Sequence, residues 1–348
     1  MPMVTPDSLG YFFPAEWARH EATWLTFPCH EDSFPGKMDD ILPSYMAFLK
    51  IISQGEKVRI NVQDKQTEQK VIDLIHEYGI DPGQAELFIH PSDDVWCRDH
   101  GPSFLINPER PDNNKVVVNW EFNAWGSKYP YERDNAISGL IAEKLGLKAF
   151  SPGIVLEGGS VELNGKGTLI TTETCMLHPN RNPHLNRGMI EKHLTDYFGV
   201  DQVLWLSEGI AGDDTDGHVD NLTRFVNEDT VITMIEPDTG DLNHLPLREN
   251  LQRLKTFRLL NGKPLQIVEV PMPSPVYHEG KRLPASYANF YICNHAVIIP
   301  TFRCENDRAA LDLFEKLFKD RKVTGIDSTD IVWGIGSFHC LTQQEPWV

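Results

Sequence analysis

The stretch with the most chemical potential lies near the C-terminal end: Gly334-Ile335-Gly336-Ser337-Phe338-His339-Cys340-Leu341-Thr342-Gln343-Gln344. Its glycines permit sharp backbone geometry and close approach of another group. They lead to a cysteine flanked by a histidine and followed by hydrogen-bonding side chains. Cys340 reads either as a nucleophile or as one more small buried hydrophobe, the usual fate of a free cysteine. In Gly217-His218-Val219-Asp220, strand alternation would place His218 and Asp220 on one face. They would then serve as a base with its orienter, as metal ligands, or as structure. A calcium loop does not fit, because glycine directly follows Asp216 and the twelfth position from Asp214 is Phe225. In Trp96-x-Arg98-Asp99-x-Gly101-Pro102, Asp99 is a turn former or a carboxylate aimed into a pocket. Glu157 follows the apolar run Ile154-Val155-Leu156, at the expected end of a buried strand. Burial raises a carboxylate pKa unless the group is paired, which makes Glu157 a candidate proton shuttle.

Taken together, Asp99, Glu157, His218 and Asp220 would crowd acids around the Cys340 thiol, which ordinarily suppresses the thiolate. The set makes sense if a cation occupies the site. A guanidinium is planar, permanently charged and matched by bidentate carboxylates. Its central carbon is a poor electrophile, so it calls for a thiolate beside a histidine acid–base.

Such residues need a scaffold that brings distant segments together, and the chain has a repeat that does so. Five β-branched runs are expected as strands: Lys57–Val62, Lys115–Trp120, Gly167–Thr172, Thr230–Ile235 and Ala296–Phe302. Each precedes a stretch with apolar residues at helical spacing: Thr67–Tyr78, Asn135–Leu145, Asn186–Phe198, Arg248–Leu260 and Asp307–Phe318. The third of these would bury Met189, Ile190 and Leu194. A second short strand is expected next, at Glu86–Ile89, Lys148–Phe150, Val203–Leu206, Gln266–Val270 and Lys322–Ile326. After it come, in turn, the Asp99, Glu157 and His218 stretches, then Ser286-Tyr287-Ala288-Asn289-Phe290, then the Cys340 stretch. Five such units suggest a closed ring of blades whose odd stretches converge on one central cavity. A doubly wound open sheet also alternates strands and helices. No glycine-rich phosphate loop follows a strand here, which removes its nucleotide-binding form.

The chain has 348 residues, enough for two domains or one large repetitive one. A net charge of −18 argues against nucleic acid and favours a cationic small molecule. The six cysteines include no Cys-x-x-Cys pair, so neither a zinc ribbon nor a dense disulfide framework is expected. Met1 to Pro14 lacks a basic segment followed by an apolar run, and no stretch reaches the length of a membrane span. A cytoplasmic location, with no membrane partner, is the resulting expectation.

At these residues the sequence resembles the agmatine deiminase and bacterial-type peptidylarginine deiminase family, within the guanidino-group-modifying superfamily. The resemblance runs from Pro14-Ala15-Glu16-Trp17, His20 and Trp24, through Trp120-x-Phe122-Asn123-Ala124-Trp125-Gly126 and Asn180-Arg181-Asn182-Pro183, to His339-Cys340-Leu341-Thr342-Gln343-Gln344. It implies a single α/β domain over 1–348, a five-bladed α/β propeller (pentein fold) of pseudo-fivefold ββαβ repeats. It further implies that Cys340 attacks a guanidinium carbon, that His218 and Glu157 move protons, and that Asp99 and Asp220 clamp the guanidinium nitrogens. Trp96, Trp125 and Asp214 would join in substrate binding, with Asp213 and Asp216 as further acids for the substrate's cationic tail. Neither metal nor organic cofactor is implied. The expected substrate is agmatine, with peptidyl-arginine or free arginine as alternatives, and the assembly a homodimer. An amidinotransferase or a silent polyamine-binding protein are more distant readings. The chain departs from the family pattern at His100, at Gly334–Phe338, and at Cys29-His30-Glu31-Asp32-Ser33-Phe34, where Asp-Asn-Trp-Arg is usual.

Overall fold

Runs rich in Val, Ile and Thr pair readily on a pleated surface, and each of the five expected runs forms a strand in a sheet of its own. The structure, a computed structural model, describes residues 4–348. The first three residues of the expected domain, and of the N-terminal stretch read for a targeting signal, lie outside the described residues.

Four units share one plan. A short strand pairs antiparallel with a longer one, and a helix then crosses over to a third strand parallel to the second. The first unit has Ser103–Ile106, Lys115–Val118, the helix Glu132–Leu145 and Ala149–Phe150. The second has Val161–Leu163, Thr168–Thr172, the helix Arg187–Phe198 and Gln202–Leu206. The third has Thr223–Phe225, Thr230–Ile235, the helix His244–Thr256 and Gln266–Pro271. The fourth has Tyr291–Ile292, Ala296–Thr301, the helix Asn306–Leu317 and Lys322–Asp327. Besides a two-stranded hairpin of Tyr277–His278 with Lys281–Arg282, a four-stranded sheet joins the N- and C-terminal segments. Its order is Thr342–Pro346, His20–Thr26, Lys57–Val62 and Ala85–Ile89, with helices Met38–Ile52 and Lys65–Glu77 as crossovers.

Helix faces follow the apolar spacing: Ile137 and Ile141, Ile190 and Leu194, Leu247 and Leu254, and Val71 are all buried. Met189, expected on the buried face, is instead exposed. Two further local expectations fail. Ile154-Val155-Leu156 is no strand; it makes a single bridge, Val155 to Glu121. His218 and Asp220 occupy no strand either, since residues Val219–Asn221 form a 3-10 turn with His218 as its N-cap. No helix among the described residues is long and apolar enough to cross a membrane. All six cysteines are free.

Candidate active site

The five odd stretches are all turns, and their backbones and side chains bond to one another. Gly159 N donates to Asp99 Oδ1 at 2.9 Å, and Asn289 Nδ2 donates to Asn221 Oδ1 at 3.0 Å. His339 N donates to Asn289 O at 3.2 Å, and Arg98 N donates to Cys340 O at 3.0 Å. A ring of turns from different units therefore surrounds one place. The position of Gly159 has a steric cause. A Cβ there would lie 2.6 Å from His218 Nδ1, 2.9 Å from Asp99 Oδ1 and 3.0 Å from Asp220 Oδ2, so a larger residue would push these side chains aside.

Cys340 sits at the edge of this cluster, 5% exposed. Its sulfur accepts a bond from Asn289 Nδ2 at 3.0 Å and lies 3.5 Å from Asp220 Oδ2. Asn289 Oδ1 in turn accepts from the backbone N–H of His339 and of Cys340, so one amide locks the thiol in place. Burial, then the charges of Asp220 and Asp99, hold the thiol well above its ordinary pKa. Burial, then Glu157, lifts Asp99 to about 7, against hydrogen bonds from Trp125 and Gly159. Asp220 is likewise raised well above the usual carboxylate range by burial and then by Asp99. Its Oδ1 has no partner among the described residues, while its Oδ2 meets His339 Nδ1 at 2.8 Å. Three acidic groups held towards their neutral forms make a site that lacks one positive charge.

His218 is fully buried, and neither ring nitrogen has a hydrogen-bond partner among the described residues. Burial, then the nearby Arg181 guanidinium, pushes its pKa well below the ordinary value, so the ring is neutral. Nδ1 lies 3.8 Å from Asp99 Oδ1. Glu157 is held by Arg181, whose Nε is 2.6 Å from Oε1 and whose Nη1 is 2.6 Å from Asp216 Oδ2. Glu157, Cys175 and His218 place donor atoms within 4.8 Å of one another. The set fits a metal poorly: Arg181 already brings a positive charge to Glu157, and burial raises the Cys175 thiol well above its ordinary pKa.

A cavity of about 460 Å³ opens onto the thiol. Cys340, Asp99, Trp96, Trp125 and Asp214 line it; His218, Glu157 and Asp220 do not, and pack behind them. Trp96 lies against Gly336, where a Cβ would meet the indole at 2.4 Å. Trp125 donates from Nε1 to Asp99 Oδ2 at 2.9 Å. It does so from a segment in which Ala124, Trp125 and Ser127 all adopt positive φ, strain that persists because the surrounding contacts over-determine it. Asp214 is at the cavity wall with both oxygens engaged, Oδ1 3.3 Å from Lys128 Nζ and Oδ2 accepting from Tyr129 OH at 2.9 Å. Asp213 and Asp216 do not line the cavity: Asp213 accepts from His218 N and Thr215, and Asp216 is taken by Arg181.

The sequence profile of the Porphyromonas-type peptidyl-arginine deiminases matches residues 12–346. The chain belongs to that family. A putative agmatine deiminase of Legionella pneumophila is 36% identical over 346 residues, 99% of this chain and 97% of that one. The agmatine deiminase of Ectopseudomonas mendocina is 34% identical, over 99% and 97% of the two chains. Among solved structures of family members, Enterococcus faecalis agmatine deiminase superposes with a TM-score of 0.91 at 31% identity, covering 99% of this chain and 98% of its own. A cysteine-to-serine variant of C. jejuni agmatine deiminase with substrate bound gives 0.87 at 31%, covering 96% of each chain.

Family membership does not by itself identify the residues that support the site, and four were not singled out from the sequence. They are Asn289, His339, Glu16 and Arg181. His339 bridges Asp220 to Glu16, its Nε2 lying 2.9 Å from Glu16 Oε2. Burial raises the Glu16 carboxyl, but Arg224, His339 and Arg98 outweigh it and hold the group far below its ordinary pKa. The signals available were that Asn289 occupies the fourth odd stretch, that His339 adjoins Cys340, and that Glu16 and Arg181 fall within stretches that carry the family resemblance.

Proposed function

We propose that this protein is an agmatine deiminase, a hydrolase that converts the guanidino group of agmatine to a ureido group and releases ammonia. The observation that carries the reading is the pairing of a buried thiol with two carboxylates, Asp99 and Asp220, all held towards their neutral forms by burial and by neighbouring acids. A guanidinium supplies the missing positive charge. Its arrival favours ionised Asp99 and Asp220 and lowers the thiol's cost of ionising.

In the proposed course the Cys340 proton is taken up within the site and the thiolate adds to the guanidinium carbon, forming a C–S bond. His218, neutral and without a hydrogen-bond partner on either ring nitrogen among the described residues, is the acceptor of that proton, and the resulting imidazolium passes it to the departing nitrogen as the C–N bond breaks and ammonia leaves. Water then gives a proton to His218 and attacks the thiouronium carbon. Collapse breaks the C–S bond, returns the proton to sulfur and releases the urea-type product. Positioned acid–base help of this kind contributes roughly 10²–10⁴-fold. Glu157, fixed by Arg181, orients the region around His218 and moves protons with it; Trp96 and Trp125 wall the guanidinium. The proposal includes a single domain whose five sheets close as a five-bladed propeller, in a cytoplasmic homodimer.

A second reading rests on Lys281, which lines the cavity and has no ion-pair partner among the described residues. A cation there would favour a substrate carrying a carboxylate, such as arginine. Ammonia release from agmatine, free arginine and a peptidyl-arginine, measured side by side, separates the two. We expect kcat/KM for agmatine to exceed that for arginine by at least ~10²-fold, the scale on which charge complementarity discriminates. Comparable values, or a preference for the peptide, would remove agmatine while leaving deimination standing. Steady-state turnover by Cys340→Ser would remove the covalent course.

A further inference from the structure

We infer that Asp94 is the carboxylate that receives the terminal ammonium of the substrate, positioned for this by Ser33. The inference rests on the agmatine reading, since it concerns the far end of the same ligand.

Agmatine carries a cation at each end, and the cavity that holds one end over Cys340 must answer the other with negative charge. Among its lining carboxylates most are already engaged. Asp99 bonds Trp125 and Gly159; Asp214 is shared by Lys128 and Tyr129; Asp93 accepts from Arg133 N at 2.9 Å. Asp32 and Glu279 are exposed rim residues, where water screens a charge. Asp94 differs from all of these. Its Oδ1 is fixed by Ser33 Oγ at 2.8 Å and by Val95 N at 2.7 Å. Its Oδ2 has no hydrogen-bond partner among the described residues, and the half-buried side chain lines the cavity. One oxygen is spent on orientation and the other is left for a ligand.

The backbone under Asp94 is held as firmly. Asp134 Oδ1 accepts from Asp93 N at 2.7 Å and from Asp94 N at 3.2 Å. The same short segment carries Asp94, then Trp96, then Asp99, so an acid for the tail, an aromatic wall and an acid for the head project from one rigid run. Ser33 comes from the segment after Pro28 in which this chain departs from the family pattern. That segment is locked in place by Phe34, which packs on Trp96 at 5.9 Å between ring centroids. Burial lifts the Asp94 carboxyl to about 6, as befits an acid awaiting a cation.

The test compares agmatine with n-pentylguanidine, in which a methyl group replaces the ammonium and the head is unchanged. The measured quantity is the ratio of the two kcat/KM values in the full-length protein. Wild type should favour agmatine. In Asp94→Asn that ratio should fall roughly 10- to 100-fold, as for loss of one charge-assisted hydrogen bond. Ser33→Ala should lower it by a smaller factor, because the acid remains but is less well oriented. Pentylguanidine turnover reports in the same samples that the variants are folded. An unchanged ratio in Asp94→Asn, with both substrates slowed alike or neither slowed, would overturn the assignment while leaving the agmatine reading intact. A wild type that shows no preference for agmatine over pentylguanidine would overturn both.

Discussion

In the proposed reaction a single residue, Asp99, couples charge to catalysis. Its carboxyl, lifted to about 7 by burial and by Glu157, is largely protonated below that pH, and a protonated acid offers a guanidinium no charge. The sign follows directly: raising pH through about 7 ionises Asp99 and strengthens binding of the cation. The acidic limb of kcat/KM, which reports the free enzyme, is therefore expected to rise through that range. Asp99→Asn should lower kcat/KM at high pH and remove most of the slope. A wild-type profile flat from pH 5.5 to 8.5, or an Asp99→Asn profile with the same limb, would exclude this role. Asn289 acts differently, through geometry, since its one amide bonds both the sulfur and the two backbone N–H groups beside it.

At the scale of elements, the odd turns matter because they are thin. The 3-10 turn Gly158–Ser160 carries Gly159 so close to His218, Asp99 and Asp220 that a larger residue would push them aside. Gly159→Ala is expected to cut kcat more than 100-fold, because a Cβ displaces three proposed catalytic groups at once; misplacement of about 1 Å is enough for such a loss. The fold should survive, since φ at this glycine is not in the left-handed region and only side-chain ends need move. Thermal unfolding and steady-state kinetics on the same preparation check both halves. A loss of stability that tracks the loss of activity would assign Gly159 to folding instead. The strained segment around Trp125 belongs to the same scale, with its indole held on Asp99 at the cost of three positive φ values.

At the scale of the whole molecule, the two ends of the chain share a sheet. Thr342–Pro346 runs antiparallel to His20–Thr26, which places Cys340 directly beside a tied strand rather than on a fraying end. Glu345 fastens this closure: it is buried, pairs with Arg59 and, at 2.8 Å, with Lys115, and accepts from Trp24 Nε1 at 2.9 Å. Removing one partner of a buried ion pair costs roughly 3–5 kcal/mol. Glu86 and Glu21 still answer Arg59 and Lys115, so Glu345→Ala is expected to lose about 2–3 kcal/mol in urea unfolding, at the lower edge of that range. Activity per folded molecule should fall as well, because the strand that carries Glu345 also seats Cys340. A stability change under about 0.5 kcal/mol, the size of an ordinary surface substitution, would show that the closure does not depend on this residue.

By itself the sequence determined the long elements and the candidate positions for chemistry. Strands such as Lys57–Val62 and Thr230–Ile235 and the long helices that follow were legible because burial of a face imposes a period on many residues at once. Asp99, Glu157, His218, Asp220 and Cys340 stood out as candidates because they fall at matching places in repeated units, and their roles belong to the proposed reaction. Tertiary structure alone decided three things. It made strands of Val161–Leu163 and Tyr291–Ile292, too short to show a period, and carried the helix Met38–Ile52 through Pro43, which reads as a stop. It set His218 and Asp220 on a turn rather than a strand. It also chose the partners: Arg181 for Glu157, Asn289 for Cys340, Glu16 for His339 and Ser33 for Asp94. The last three pairs join residues far apart in sequence through one or two hydrogen bonds each, and such isolated bonds leave no periodic trace in the chain that makes them.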